Sequence, residues 1–166
     1  MKLILLLTLP LFVLDFITKE IVVRKFDPPS EAGIDSVPVI DGFFNLVRLH
    51  NTGIAFGHFN GEIWANILFT IVAVGALVYL AVAAKKGQFL TRTSRVAAAL
   101  LASGILGNLL DRLMRGYVVD FLDFIIPFYG HWPSFNVADS CICIAAALLF
   151  ISAFQKPPDT GNASEA

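Results

Sequence analysis

The run IWANILFTIVAVGALVYLAVAA, Ile63 to Ala84, holds 22 residues and no charge. As a helix it extends about 33 Å at 1.5 Å per residue, enough to cross the hydrocarbon core of a bilayer. It sets the class of the chain. Of the 166 residues, 57% are hydrophobic and 15% charged, and the mean hydropathy is +0.74. A soluble domain carries about 25% charge, so this composition points to an integral membrane protein of one domain. The formal net charge of −1 gives no reason to expect nucleic acid.

Working outward, three further apolar stretches appear. The first, about residues 3–23, is interrupted by Asp15, Lys19 and Glu20. It begins like a secretory signal, but no small-residue cleavage site follows, and apolar character resumes at Ile21-Val22-Val23. It reads as a retained helix. The third, about 96–115, is rich in Ala, Ser and Gly (Ala97, Ala98, Ala99, Ser103, Gly104, Gly107), residues suited to close helix contact in lipid. The fourth runs over about 135–154. A domain of residues 1–156 is expected, with 157–166 as a solvated cytoplasmic tail.

Charge sets the orientation. Lys85, Lys86, Arg92 and Arg95 lie in the short connection after the second span, with no acid among them. The segment 26–62 instead carries Asp27, Glu31, Asp35, Asp41 and Glu62. The positive-inside rule places the basic connection and both termini in the cytoplasm. The segment 26–62 and the stretch from Arg115 to Pro133 then lie outside. Within 26–62, Asp41-Gly42 is a turn signal between Val37-Pro38-Val39-Ile40 and Phe43 to Leu49, which predicts a small β-sheet at the membrane surface.

The polar residues gather at the outer ends of the third and fourth spans. Asn108 lies at i,i+3 from Asp111 and i,i+4 from Arg112, so the three share a face; Asp111 also reaches Arg115 at i,i+4. Asn136 and Asp139 are again i,i+3, and Asp15 with Lys19 reads as a buried, paired strut. Ionisable groups at membrane depth are costly and usually mark a site. Asp120 and Asp139 stand out. If folding brings them within hydrogen-bonding reach, one keeps its proton. The ionised partner can then deprotonate a water while the protonated one polarises a peptide carbonyl. That chemistry is an intramembrane aspartyl peptidase. Asp123 reads as an exposed bystander or a helper.

Other chemistries fit less well. His50, His58 and His131 lack zinc spacing. A Ser–Lys hydrolase would need Lys19 to reach Ser103 or Ser140. Cys141 and Cys143 point about 200° apart on a helix, which argues against a shared metal or a disulfide and leaves them as small buried hydrophobes. Two other classes stay open: a non-enzymatic binding or assembly protein with structural acids, and a proton-coupled carrier. No internal repeat of the kind carriers show is visible.

Four blocks, in order, carry a resemblance: Asp15-Phe16-Ile17-Thr18-Lys19; Asn51-Thr52-Gly53-Ile54-Ala55-Phe56; Gly107-Asn108-Leu109-Leu110-Asp111-Arg112 with Gly116-Tyr117-Val118-Val119-Asp120-Phe121; and Phe135-Asn136-Val137-Ala138-Asp139. With them the chain resembles the bacterial lipoprotein signal peptidases (signal peptidase II) over nearly its whole length. The resemblance implies an otherwise all-α integral membrane protein of four transmembrane helices, with a small extracytoplasmic β-cradle and a short surface helix. It implies cleavage of prolipoproteins N-terminal to a diacylglyceryl-modified cysteine, in the bacterial inner membrane, with the site on the periplasmic side. By motif, Asp120 and Asp139 are the catalytic dyad. Asn51, Gly53, Asn108, Arg112 and Asn136 shape or bind the site, and Asp15, Lys19 and Asp111 support it. A monomer without metal or organic cofactor is expected, inhibited by the cyclic peptide globomycin.

Overall fold

The computed structural model describes residues 2–31, 33–53 and 63–156. Its elements follow in the order α1 (Lys2–Lys25), β1 (Ser36–Ile40), β2 (Phe44–Asn51), α2 (Ile63–Lys85), α3 (Arg92–Arg115), β3 (Val118–Ile126), β4 (Gly130–His131) and α4 (Val137–Ala153). Residues 54–62, which include Ile54-Ala55-Phe56 of one motif, and the tail 157–166 lie outside the described residues. No short surface helix occurs among the described residues.

α2 and α3 are each long and apolar enough to cross a membrane, and α4 is a shorter apolar helix. Ile67, Leu68, Ile71, Val72, Val74 and Val78 of α2 all stand exposed. A contiguous apolar surface of this kind is what lipid, not water, covers. α2 touches the bundle through α3, which also packs along α1 and, most extensively, α4.

Small residues explain how α3 can serve three neighbours. Ala97, Ala98, Ala99, Ser103 and Gly104 are buried on it, and such residues let backbones approach closely where no hydrophobic drive separates helix from lipid. A Cβ on Gly104 would collide with the Ala138 carbonyl and stand 2.6 Å from Ile142 Cγ1 of α4. At the opposite end Thr91 caps α3 in a reciprocal box with Ser94. Its hydroxyl also lies 2.9 Å from Ser152 Oγ, fastening α4.

The sheet is larger than the sequence led one to expect. It is antiparallel, in the order β1-β2-β3-β4. The expected turn is present as Asp41–Phe43, with Gly42 at φ +70°, a left-handed conformation that favours glycine. The stretch after α3, for which no strand was expected, is instead β3, one of the two inner strands of the sheet. Gly116 ends α3 at φ +78° and donates its N–H to the Arg112 carbonyl, so β3 starts two residues later. β3 pairs with β2, Leu49 opposite Asp120 and Asn51 opposite Val118, after a bulge between Leu46 and Leu49. Val119 and Phe121 pack on Val22 of α1 as a small buried core.

Two further contacts fix the sheet. Arg48 Nη1 donates to the carbonyls of Val23 (3.1 Å) and Phe26 (2.9 Å), satisfying backbone acceptors at and just beyond the end of α1. Phe135, just before α4, donates to the Leu122 carbonyl and accepts from the Phe121 and Leu122 amides, so β3 and the start of α4 are bonded directly.

Gly104→Ala is expected to lose about 1–3 kcal/mol by overpacking the α3–α4 contact. Thermal unfolding in detergent checks this; an unchanged midpoint would mean that the two helices separate at little cost.

Candidate active site

Three charged side chains lie buried between α1 and α3. Lys19 Nζ stands 2.8 Å from Asp15 Oδ2 and 3.2 Å from Asp111 Oδ2, and all three are 2% exposed or less. Asp111 also pairs with Arg115, which in turn reaches Glu20. Each member of the trio holds something beside an aspartate of interest. Asp15 Oδ1 accepts the Ala138 N–H at 2.8 Å, capping a free amide in the first turn of α4. Asp111 Oδ2 accepts the Val119 N–H at 3.0 Å, at the start of β3. Lys19 donates its third bond to Asn108 Oδ1 at 2.9 Å. A Cβ on Gly107 would strike the Asp15 carboxylate, so glycine there makes room for the trio.

Asparagines connect this base to Asp120 and Asp139. Asn108 Nδ2 donates to Asp139 Oδ1 at 2.7 Å. Asn136 Nδ2 donates to Asp120 Oδ1 at 2.8 Å and also lies 3.2 Å from Asn108 Oδ1. Asn51 Nδ2 donates to Asp120 Oδ2 at 2.9 Å, while its Oδ1 accepts the Gly53 N–H at 3.0 Å. Asn136 is also the N-cap of α4: its Oδ1 takes the Asp139 N–H at 2.9 Å, and Asp139 Oδ2 takes the Asn136 N–H at 3.2 Å. The two carboxylates are thus reached by donors from three elements or their flanks, β2, α3 and the start of α4. Asp120 is buried on β3, whereas Asp139 is half-buried in the first turn of α4. Burial, and then the neighbouring charge of Asp139, push the Asp120 carboxyl up to about 7. Such a group exchanges a proton near neutrality.

The residues expected from sequence to be catalytic or site-shaping all lie in or beside this network. Arg112 makes no carboxylate ion pair among the described residues. Its Nη1 donates to the Asn108 carbonyl at 3.4 Å, its guanidinium lies 5.5 Å from the Phe69 ring centre, and its Nε is buried without a hydrogen-bond partner among the described residues. Other expectations need correction. Asp123 is not exposed: it is 4% accessible, on β3 opposite Asn45, and accepts from Asn45 Nδ2 at 2.9 Å, with His131 Nδ1 also 2.9 Å away. Cys141 is buried but Cys143 is exposed, because residues two apart on a helix cannot both face α3. In line with the poor fit of a Ser–Lys hydrolase, Lys19 is held by Asp15, Asp111 and Asn108, and Ser140 Oγ donates to the Asn136 carbonyl.

Arg48 was not singled out from sequence. Besides ending α1, it donates from Nε to His50 Nε2 at 3.1 Å, and His50 stacks on Tyr117 at 3.8 Å. Burial, then the Arg48 charge, hold the His50 pKa below its usual value, consistent with a neutral acceptor. A single base in an acidic segment was the available signal.

The family model described as signal peptidase (SPase) II matches residues 7–155. The chain belongs to the signal peptidase II family. A lipoprotein signal peptidase of Geobacter sulfurreducens is 41% identical over 144 residues, 87% of this chain and 86% of that one. One of Nitratidesulfovibrio vulgaris is 43% identical, covering 76% and 78%. A solved structure described as a bacterial membrane enzyme at 2.3 Å superposes with a TM-score of 0.79 and 30% identity, over 98% of this chain and 93% of that one. The peptidase is therefore an aspartic peptidase of lipoprotein processing, and a non-enzymatic assembly protein or a proton carrier is not favoured.

Asp111→Ala is expected to cost about 3–5 kcal/mol, because Lys19 and Arg115 lose a buried counter-charge. Thermal or denaturant unfolding in detergent measures it. A cost under about 1 kcal/mol, the scale of surface pairs, would mean the trio braces nothing.

Proposed function

We propose that Asp120 and Asp139 are the catalytic pair with which this peptidase removes signal peptides from prolipoproteins, cutting N-terminal to a diacylglyceryl-modified cysteine. The observation that carries the reading is the convergence of Asn51, Asn108 and Asn136 on these two carboxylates and, among the described residues, on no other acid. Donors around a carboxylate pair hold its charge and fix its geometry. One carboxylate takes a proton from water as the oxygen attacks the scissile carbonyl carbon. The other gives its proton to the carbonyl oxygen, forming a gem-diol. The first then protonates the leaving amine nitrogen as the C–N bond breaks, and the diol proton returns to the second.

Depth fits this substrate. A lipid-modified cysteine stays in the bilayer, so its scissile bond has to be met near headgroup level. In the reading proposed, all four helices span the inner membrane with both termini in the cytoplasm. The ends of α3 and α4 that bear Asn108 and Asp139 then face the periplasm, and the sheet holds the polar part of the substrate. Arg112, with its guanidinium over Phe69 and its Nη1 on the Asn108 carbonyl, helps to shape the site. The peptidase acts as a monomer, without metal or cofactor, and is blocked by globomycin.

Cleavage of a lipidated and an unlipidated prolipoprotein by the detergent-solubilised peptidase tests this. Only the lipidated form should be cut, and Asp120→Asn and Asp139→Asn should each lose at least about 10³-fold while staying monodisperse, on the scale of lost acid–base catalysis. Retained turnover in either variant would remove it from the pair. Turnover should also decline as pH rises through about 7, where Asp120 gives up its proton. A rate flat from pH 6 to 9 would count against that group as the acid.

A further inference from the structure

We propose that Lys19 is a positioning residue that assigns the two roles within the pair: by holding the Asn108 oxygen it turns the amide nitrogen onto Asp139, which makes Asp139 the base and leaves the proton on Asp120. This rests on the dyad reading above, with Asp120 as the protonated partner, and adds to it what fixes that division of roles.

A lysine ammonium has three donors and no acceptor. Lys19 sits 2.9 Å from Asn108 Oδ1. Only the amide oxygen can meet it, so the nitrogen of Asn108 must point the other way, and there it finds Asp139 Oδ1 at 2.7 Å. Without the ammonium the amide could reverse and place an oxygen against a carboxylate oxygen. Asn136 Nδ2 also favours the observed orientation, at 3.2 Å from Asn108 Oδ1. Its two hydrogens are shared, however, with Asp120 Oδ1 at 2.8 Å and the Val119 carbonyl at 3.3 Å. Lys19 makes the shorter contact, and it carries charge. Asp15 and Asp111 on either side hold Nζ in place.

The surroundings of the two carboxylates differ in the sense the proposal needs. Asp139 receives the Asn108 amide and a backbone N–H, lies in the first turn of α4 where the helix dipole favours an anion, and is half-buried. Asp120 receives two side-chain amides, lies on a strand, and is 4% exposed. Of two carboxylates brought together, the more buried one without a helix end keeps the proton. The charged groups around the pair are Lys19 and Asp15 from α1 and Asp111 and Arg112 from α3. Asp139 thus takes the proton of water, and Asp120 gives its own to the carbonyl oxygen.

A double-mutant cycle on the pH dependence of kcat tests this. The acidic limb reports ionisation of the base. Lys19→Met should move that limb up by at least about one pH unit, a tenfold loss at its foot, with KM little changed. In an Asn108→Ala background the same substitution should move the limb by much less, because its target is gone. Equal shifts in both backgrounds would make Lys19 a distant charge and overturn the proposal, as would no shift in either. Because Lys19→Met can unfold a chain that then buries Asp15 and Asp111 unpaired, Asn108→Asp supplies a second test with Lys19 intact. It keeps the lysine contact and puts an oxygen where Nδ2 faces Asp139, so the acidic limb should again rise; an unmoved limb would overturn the proposal. Loss of activity in Asp120→Asn and Asp139→Asn, with Lys19 and Asn108 variants unaffected, would sink this inference and leave the dyad standing. Activity in either Asp→Asn variant would sink the dyad itself.

Discussion

The ammonium of Lys19 between the carboxylates of Asp15 and Asp111 is the constraint from which the surrounding hydrogen-bond network extends. A buried ion pair is not in itself a strong source of stability, since desolvation offsets most of the attraction. Its value here is geometric. Each of the three groups also holds a partner that leads to the pair: the Ala138 amide, the Asn108 oxygen and the Val119 amide. Two of these are next to Asp139 and Asp120 in sequence, and the third bonds Asp139 through its own amide. The trio is a template laid beneath the pair. An apolar replacement of the same volume could pack as well, yet it would direct none of these bonds.

The surrounding fold supplies what the template requires. Glycines at 104 and 107 bring α3 against α4 and α1, so that charges on three helices can meet. The left-handed glycine at 116 turns the chain from helix to strand within two residues, which brings β3 back against the C-terminal end of α3. Asn51 then arrives from β2, its amide orientation fixed by the Gly53 N–H. Asparagine suits these positions because one side offers an acceptor to a fixed donor and the other two donors to an acid.

Much of this was legible in the amino-acid order, and the limits follow a physical rule. Spacing speaks clearly within an element: i,i+4 pairing revealed Asp15 with Lys19 and Asp111 with Arg115, and hydropathy revealed the helices. Contacts between elements leave no such trace. Nothing local indicates that Asp15 caps α4, 123 residues away, or that Arg48 ends α1. β3 was missed for a different reason. Val118-Val119 and the Phe121 to Ile126 run are strand-like in composition, but the acids at 120 and 123 drew attention as chemistry instead of as alternation. With β3 unrecognised, Asp123 had no partner strand and looked exposed. Cys143 was judged together with Cys141, although two residues on a helix reverse the facing.

The bonds between Phe135 and the Phe121–Leu122 stretch have a mechanical consequence. Asp120 belongs to a sheet and Asp139 to a helix, two bodies that respond differently to the thickness of the surrounding lipid, since helices tilt to match it. Because the residue before the α4 cap is bonded to β3 on both sides of its peptide, a tilt of α4 pivots about that junction instead of pulling the helix end from the strand. The junction, and not the lean of α4, then sets where the strand that bears Asp120 meets the helix that bears Asp139.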